Sequence, residues 1–392
     1  MLLAFKNGKL LTDAGIESGR NLLVRAGRIE AIVNAREIVG ADHTIDLDGQ
    51  LLVPGFIDTQ VNGGGGVLFN GNPSVESIAA IGSAHRRFGT TGFLPTLISD
   101  DLHVVEQAIH AVREAIARGV PGVLGIHIEG PFLSNDRRGV HDASKLRSLD
   151  EDAMKLLATP HGGVTMVTLA PERTTPAIIR ALTEAGVIVS AGHTNATYDE
   201  LQPALDAGVR GFTHLFNAMS QLGNREPGAV GAALDDPASF CGIIVDGLHV
   251  DPVVLRLALR CKSPDRFMLV SDAMPNAGSD LTEFMLAGRK IVVRDGKLLD
   301  EDGTLAGACL TMAEAVSNSV KLLGVDLAQA VRMASASPAA FLGLERELGR
   351  IAPGYRANLV VMDESFRVLD TWIDGQPATK SLIERVPAGT PA

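Results

Sequence analysis

The sequence predicts an α/β protein, a (β/α)8 TIM-like barrel with a small β-sandwich domain built from the N- and C-terminal segments. Three observations lead there. Eight short apolar runs alternate with helical stretches through the middle of the chain, as a barrel requires. Strand-like segments with tight turns occupy both ends. A nucleotide-type Gly-x-Gly-x-x-Gly after a strand, which would favour a doubly wound open sheet, is missing.

Size and composition allow this plan. The 392 residues are 46% hydrophobic and 21% charged, with 42 glycines and 19 prolines that suit many strand–helix turns. That length accommodates a barrel of about 250 residues and an appended domain. A formal net charge of −11 argues against nucleic acid or an anionic membrane as partner, and an anionic substrate would need local basic groups. The three cysteines, Cys241, Cys261 and Cys309, are scattered and form no Cys-x-x-Cys pair, which fits a reducing compartment. Met1 to Leu11 lacks a signal-peptide pattern, and no stretch approaches the ~20 apolar residues of a membrane span. The expected location is cytoplasmic.

In chain order, residues 2–6, 22–25 and 29–33 read as strands separated by Asn7-Gly8, Gly19 and Ala26-Gly27. The same character returns at 359–362 and 368–373, followed by Asp374-Gly375. Neither end has enough apolar surface for its own core, so residues 1–53 plus 350–392 are assigned to one small domain. Residues 54–349 form the barrel. Its strands are expected at 56–61, 93–98, 123–128, 164–169, 187–189, 209–213, 243–245 and 267–270. Between them, 102–117 carries apolar residues at 102, 105, 109, 112 and 116 with Gly119 as a stop, and Thr197-x-x-Glu200 opens a helix running to Gly208. After the eighth strand, 284–299 reads as a hairpin insertion, and helices are expected at 312–323 and 327–334.

The chemistry sits where these strands end. Strand C-termini of a barrel converge on one face, so polar residues there are site candidates. Glu129 closes the run Gly125-Ile126-His127-Ile128-Glu129, before Gly130-Pro131 stops the strand. A carboxylate held there needs a cation or a donor to offset its desolvation. His193 follows the fifth run, His214 the sixth and Asp272 the eighth. Two imidazoles and one carboxylate make a common ligand set for a catalytic Zn2+ with an open position for water. Asp272 has three readings: a fourth ligand, a helix N-cap before Ala273-Met274, or a general base that takes a proton from water and returns it to a leaving group. His141, in the polar loop after Glu129, is either a surface histidine or a group over the site able to polarise a carbonyl. Asn217, Ala218, Arg225 and His249 are the nearby candidates for receiving an anionic substrate.

Taken together, Pro54-Gly55-Phe56-Ile57-Asp58, His127-Ile128-Glu129-Gly130-Pro131, Ala191-Gly192-His193-Thr194, Thr213-His214-Leu215-Phe216-Asn217-Ala218-Met219, Ser271-Asp272-Ala273-Met274, Asp246-Gly247-x-His249 and Leu305-Ala306-Gly307 resemble the N-acetylglucosamine-6-phosphate deacetylase family of the amidohydrolase superfamily. The resemblance covers nearly the whole chain. It implies that Glu129, His193 and His214 bind one divalent metal ion per subunit, expected to be Zn2+. It makes Asp272 the acid/base residue and has His141 orient the acetamido carbonyl. Asn217, Ala218, His249, Leu305, Ala306 and Gly307 would contact the sugar phosphate, with Arg225 reaching it across a homodimer interface. Many amidohydrolases carry His-x-His at the end of strand one, where this chain has Gln60-Val61-Asn62. Carboxamides are poor Zn2+ ligands, so a single metal is expected. Two other functions stay open: deacylation of another N-acyl amino sugar or N-acyl amino acid, and a scaffold without chemistry. The scaffold predicts lost ligands, yet Glu129, His193, His214 and Asp272 are all present.

Overall fold

The computed structural model describes residues 1–37 and 40–378; the last part of the expected C-terminal segment, 379–392, lies outside them. Eight parallel strands follow one another around the barrel: Phe56–Val61, Thr90–Ile98, Gly125–Glu129, Val164–Leu169, Ile188–Ala191, Gly211–Phe212, Phe240–Ile243 and Phe267–Leu269, here called barrel strands one to eight. Each pairs in parallel with the next. The sixth is shorter than the apolar run suggested, because His214 turns into a left-handed backbone (φ 33°) just beyond it.

Strands one and eight close the barrel without a regular ladder. The backbone N–H groups of Asn62 and Gly63 both donate to the Ala273 carbonyl at 2.9 Å. Asp58 spans the same seam, its Oδ1 accepting from the backbone N–H groups of Gln60 and Ser271, each at 3.2 Å. Burial pushes the Asp58 carboxyl up to about 7, against the pull of these bonds from Ser271 and Gln60.

Helices cover the outside as their patterns require. Leu102–Ala117 buries Val105, Ile109 and Val112 on one face. Tyr198–Asp206 is opened by a reciprocal capping box in which Thr197 accepts from the Glu200 N–H and Glu200 accepts from the Thr197 N–H. Met312–Asn318 runs on into a π-helical turn at Ser319–Leu323, matching the single helix expected there.

The insertion after strand eight differs from the expected hairpin. It is a three-stranded antiparallel sheet, Glu283–Leu286, Arg289–Arg294 and Lys297–Leu299. Its second turn was legible as Asp295-Gly296; its first, Ala287-Gly288, was not. Both place two consecutive residues at positive φ, 47° and 78° at the first and 50° and 77° at the second, the conformation of two-residue hairpin turns.

The chain ends meet as expected. A six-stranded sheet joins Lys9–Thr12, Gly15–Ser18 and Leu51–Pro54 to Leu359–Met362, Val368–Ile373 and Gln376–Pro377. A four-stranded sheet of N-terminal strands packs with it around Phe5, Leu22, Ile29, Leu359 and Trp372. Phe5 and Trp372, from opposite ends of the chain, meet edge to face with ring centroids 4.9 Å apart.

Candidate active site

The strand C-termini open into a cavity of ≈ 340 Å³ lined by Glu129, His141, His193, His214, Asn217, Ala218, His249, Asp272, Leu305 and Gly307, among others. Ten of the twelve residues expected at the site therefore share one space. Ala306 is fully buried beside Ile98, Val140 and Met274, behind the lining. Arg225 is exposed, does not line the cavity, and makes no ion pair among the described residues.

Backbone geometry sets the directions of the central groups. Glu129 is the last residue of strand three, paired with Ile98 on one side and Thr168 on the other. His193, His214 and Asp272 follow their strands at φ 47°, 33° and 49°. Left-handed backbone at non-glycine residues costs on the order of 1 kcal/mol or more and persists where the surroundings over-determine it. Asp272 is not a helix cap: the chain after it forms bridges through Ala273 to Val61 and Ala308.

Glu129 Oε1 lies 3.3 Å from His193 Nε2 and 3.1 Å from His214 Nε2, and the two nitrogens are 3.0 Å apart. Burial alone would raise the Glu129 carboxyl, but bonds to His193 and His214 hold it well below the usual range. The donor set fits a divalent cation. His193 Nδ1 must donate to the Arg137 carbonyl, 2.8 Å away, so its Nε2 keeps a lone pair directed at the cluster. All three ligand atoms lie within 4.8 Å of one another, and all three residues are buried.

Gln60 and Asn62 occupy the side of this cluster nearest the barrel seam. Gln60 Nε2 donates to Glu129 Oε1 at 3.0 Å and to Asp272 Oδ1 at 3.1 Å; Asn62 Nδ2 donates to Asp272 Oδ1 at 2.7 Å. Sequence reasoning treated the pair only as missing ligands, whereas their amides serve as donors to the carboxylates. Burial, and then the charge of Glu129, push the Asp272 carboxyl up to about 6. Its Oδ2 bonds no protein group among the described residues.

His141 is buried, with its ring against His193 at 4.5 Å between centroids. Burial, then the neighbouring His193, push it down to about 3, so the ring is neutral. Its Nδ1 meets Ser99, which sequence reasoning missed although Ser99 directly follows the apolar run of strand two, the same signal that picked out the others. On the far wall, Asp246 accepts from the backbone N–H groups of Leu248 and His249 and from His249 Nδ1 at 2.6 Å, which orients the imidazole. Burial works against the Asp246 carboxylate, and these bonds outweigh it and hold it below its ordinary range.

Comparison with known proteins places this architecture. The pattern of the amidohydrolase family matches residues 51–378. The chain is 44% identical over 381 residues to N-acetylgalactosamine-6-phosphate deacetylase of Shewanella sp. (strain ANA-3), covering 96% of this chain and 95% of that protein. It is 36% identical over 358 residues to N-acetylglucosamine-6-phosphate deacetylase of Haemophilus influenzae, covering 91% and 93%. The crystal structure of N-acetylglucosamine-6-phosphate deacetylase from Pasteurella multocida superposes with a TM-score of 0.93 at 39% identity, covering 96% of this chain and 99% of that one.

Proposed function

The chain belongs to the amidohydrolase family, and from that premise we propose that it hydrolyses the N-acetyl group of N-acetylglucosamine 6-phosphate to glucosamine 6-phosphate and acetate. The observation that carries this reading is the convergence of Glu129, His193 and His214 with Asp272 and His141 in one cavity. Relatives named as deacetylases of this substrate class support it over nearly their full lengths.

A divalent cation held by Glu129, His193 and His214, Zn2+ in our reading, would supply a Lewis acid that polarises the amide carbonyl and makes water acidic enough to deprotonate near neutrality. The chain's own residues do the rest. Asp272, with Oδ1 fixed by Asn62 and Gln60, uses its unbonded Oδ2 to take a proton from the attacking water. The water oxygen bonds to the carbonyl carbon, the C–N bond breaks as the proton passes from Asp272 to the departing nitrogen, and the acyl group leaves as acetic acid, which ionises to acetate. His141 stabilises the charge that grows on the carbonyl oxygen, and such groups typically give the largest electrostatic gain. Asn217, Ala218 and His249 receive the phosphate, and Leu305 and Gly307 border the sugar.

The reading includes a cytoplasmic homodimer in which Arg225 of one subunit meets the phosphate bound by the other. Its support is that Arg225 is exposed and lacks an ion pair among the described residues, in a chain whose net charge otherwise repels a phosphate. Leu222, Leu248, Val253 and Leu257 expose apolar side chains nearby in sequence and along the helix Pro252–Cys261, as an interface would.

A second substrate is favoured by one observation. The Shewanella relative is named for the N-acetylgalactosamine sugar, which differs from the glucosamine sugar only at C4. The deciding experiment measures acetate release from both 6-phosphates and from unphosphorylated N-acetylglucosamine, alongside metal content per chain. A higher kcat/KM for N-acetylglucosamine 6-phosphate supports the reading. Preference for the galacto epimer would move the assignment to that substrate, and equal use of the unphosphorylated sugar would remove the phosphate site.

A further inference from the structure

Ser99 directly follows barrel strand two and is buried. Both of its donors approach one atom: the backbone N–H lies 3.3 Å and Oγ 2.7 Å from His141 Nδ1. A hydroxyl can donate or accept, so the shorter contact by itself allows either imidazole tautomer. The backbone N–H can only donate. With a proton on Nδ1, two N–H groups would face each other in a buried site; with Nδ1 as acceptor, both Ser99 groups are satisfied at once. In the neutral ring the proton then sits on Nε2.

We propose that Ser99 is a positioning residue that locks His141 in the Nε2–H tautomer, so that His141 presents an N–H to the carbonyl oxygen of the scissile amide. This rests on the deacetylase reading above. Toward the substrate the locked ring is a donor only, its one accepting nitrogen being held by Ser99. It cannot accept the proton of the attacking water, which leaves that task to Asp272, so the division of labour between the two residues is set outside both of them.

The sequence around Glu129 preserves this contact. A Cβ added at Gly130 would lie 2.3 Å from Ser99 Oγ, and Gly130 itself sits at φ +86°, where side chains are strained. The glycine of His127-Ile128-Glu129-Gly130-Pro131 therefore keeps space for the hydroxyl of the neighbouring strand.

The test uses the Zn2+-loaded full chain with 15N-labelled histidine, the His141 signals being assigned by their loss in His141→Asn. The expected spectrum has a protonated Nε2 and an unprotonated Nδ1; a proton on Nδ1 overturns the proposal, whatever the enzyme's activity. Ser99→Ala keeps the backbone donor and removes the hydroxyl. Its kcat is expected to fall about tenfold, the worth of one hydrogen bond, with KM within about twofold and the His141 Nδ1 signal shifted by the lost bond while Nε2 stays protonated. Unchanged kcat with unchanged His141 signals would overturn the role of the hydroxyl. Should that variant fail to fold, the wild-type spectrum still decides. A wild-type protein that releases no acetate yet shows the Nε2–H ring would defeat the deacetylase reading and leave the tautomer assignment standing.

Discussion

Asn62 Nδ2 donates to Asp272 Oδ1 at 2.7 Å, across the seam where the first and last barrel strands meet. A carboxamide that ligates Zn2+ poorly is well suited to this task, since its N–H holds one oxygen of a buried carboxylate and brings no competing charge. Removing it with Asn62→Ala should lower kcat about 10–100-fold, the range for a hydrogen bond to a charged group, with metal content unchanged. Wild-type kcat in that variant would mean that Gln60 alone positions Asp272.

Asp272→Asn keeps the shape of the side chain and removes its capacity to accept a proton. Its kcat should fall by the ~10²–10⁴-fold typical of a lost general acid/base, while metal content and melting temperature stay near those of the parent. Near-normal turnover would sink the assignment of Asp272.

Chelation should abolish activity, and Zn2+ should restore it, with about one ion bound per chain because Gln60 and Asn62 are engaged with Glu129 and Asp272. The chelated protein should also melt at a lower temperature, since the ion binds the folded chain only. Two ions per chain by elemental analysis would show that the carboxamides do not set the count.

Arg225 gives a complementation experiment. Arg225→Ala should raise KM for the 6-phosphate, and Asp272→Asn should be inactive. Mixed dimers of the two would then pair an intact Asp272 on one subunit with an intact Arg225 on the other. Recovered activity in the mixture is the expected outcome. Activity no better than that of the separate variants would place Arg225 within its own subunit's site or outside the reaction.

His85 offers a pH signature away from the chemistry. Its Nε2–H donates to the buried Gly63 carbonyl at 2.8 Å, and burial lowers the ring's proton affinity. The unfolded chain takes up a proton near pH 6.5 that the folded ring refuses. The His85 contribution is therefore fully present above pH 6.5 and is lost as pH falls toward the depressed folded value, by at most about 1.4 kcal/mol per pH unit. The gap in urea midpoint between the parent and His85→Gln should narrow from pH 8 to pH 5. A constant gap would show that the buried ring accepts its proton at the ordinary pH.

The sequence by itself determined the barrel, because strand and helix periodicities are local and alternate through most of residues 56–270. It also pointed to the candidate metal ligands: Glu129, His193 and His214 each stand at or just beyond the end of an apolar run, and a barrel sends all such positions to one face. Tertiary structure alone decided what depends on contacts between distant segments. The amides of Gln60 and Asn62 look like absent metal ligands until Asp272, more than 200 residues away, comes into reach. Ser99 is an unremarked serine until the loop after strand three lays His141 against it. Whether a short polar side chain ligates, donates or fixes a tautomer depends on which atom sits about 3 Å from it, and residue spacing along a chain carries no such distance.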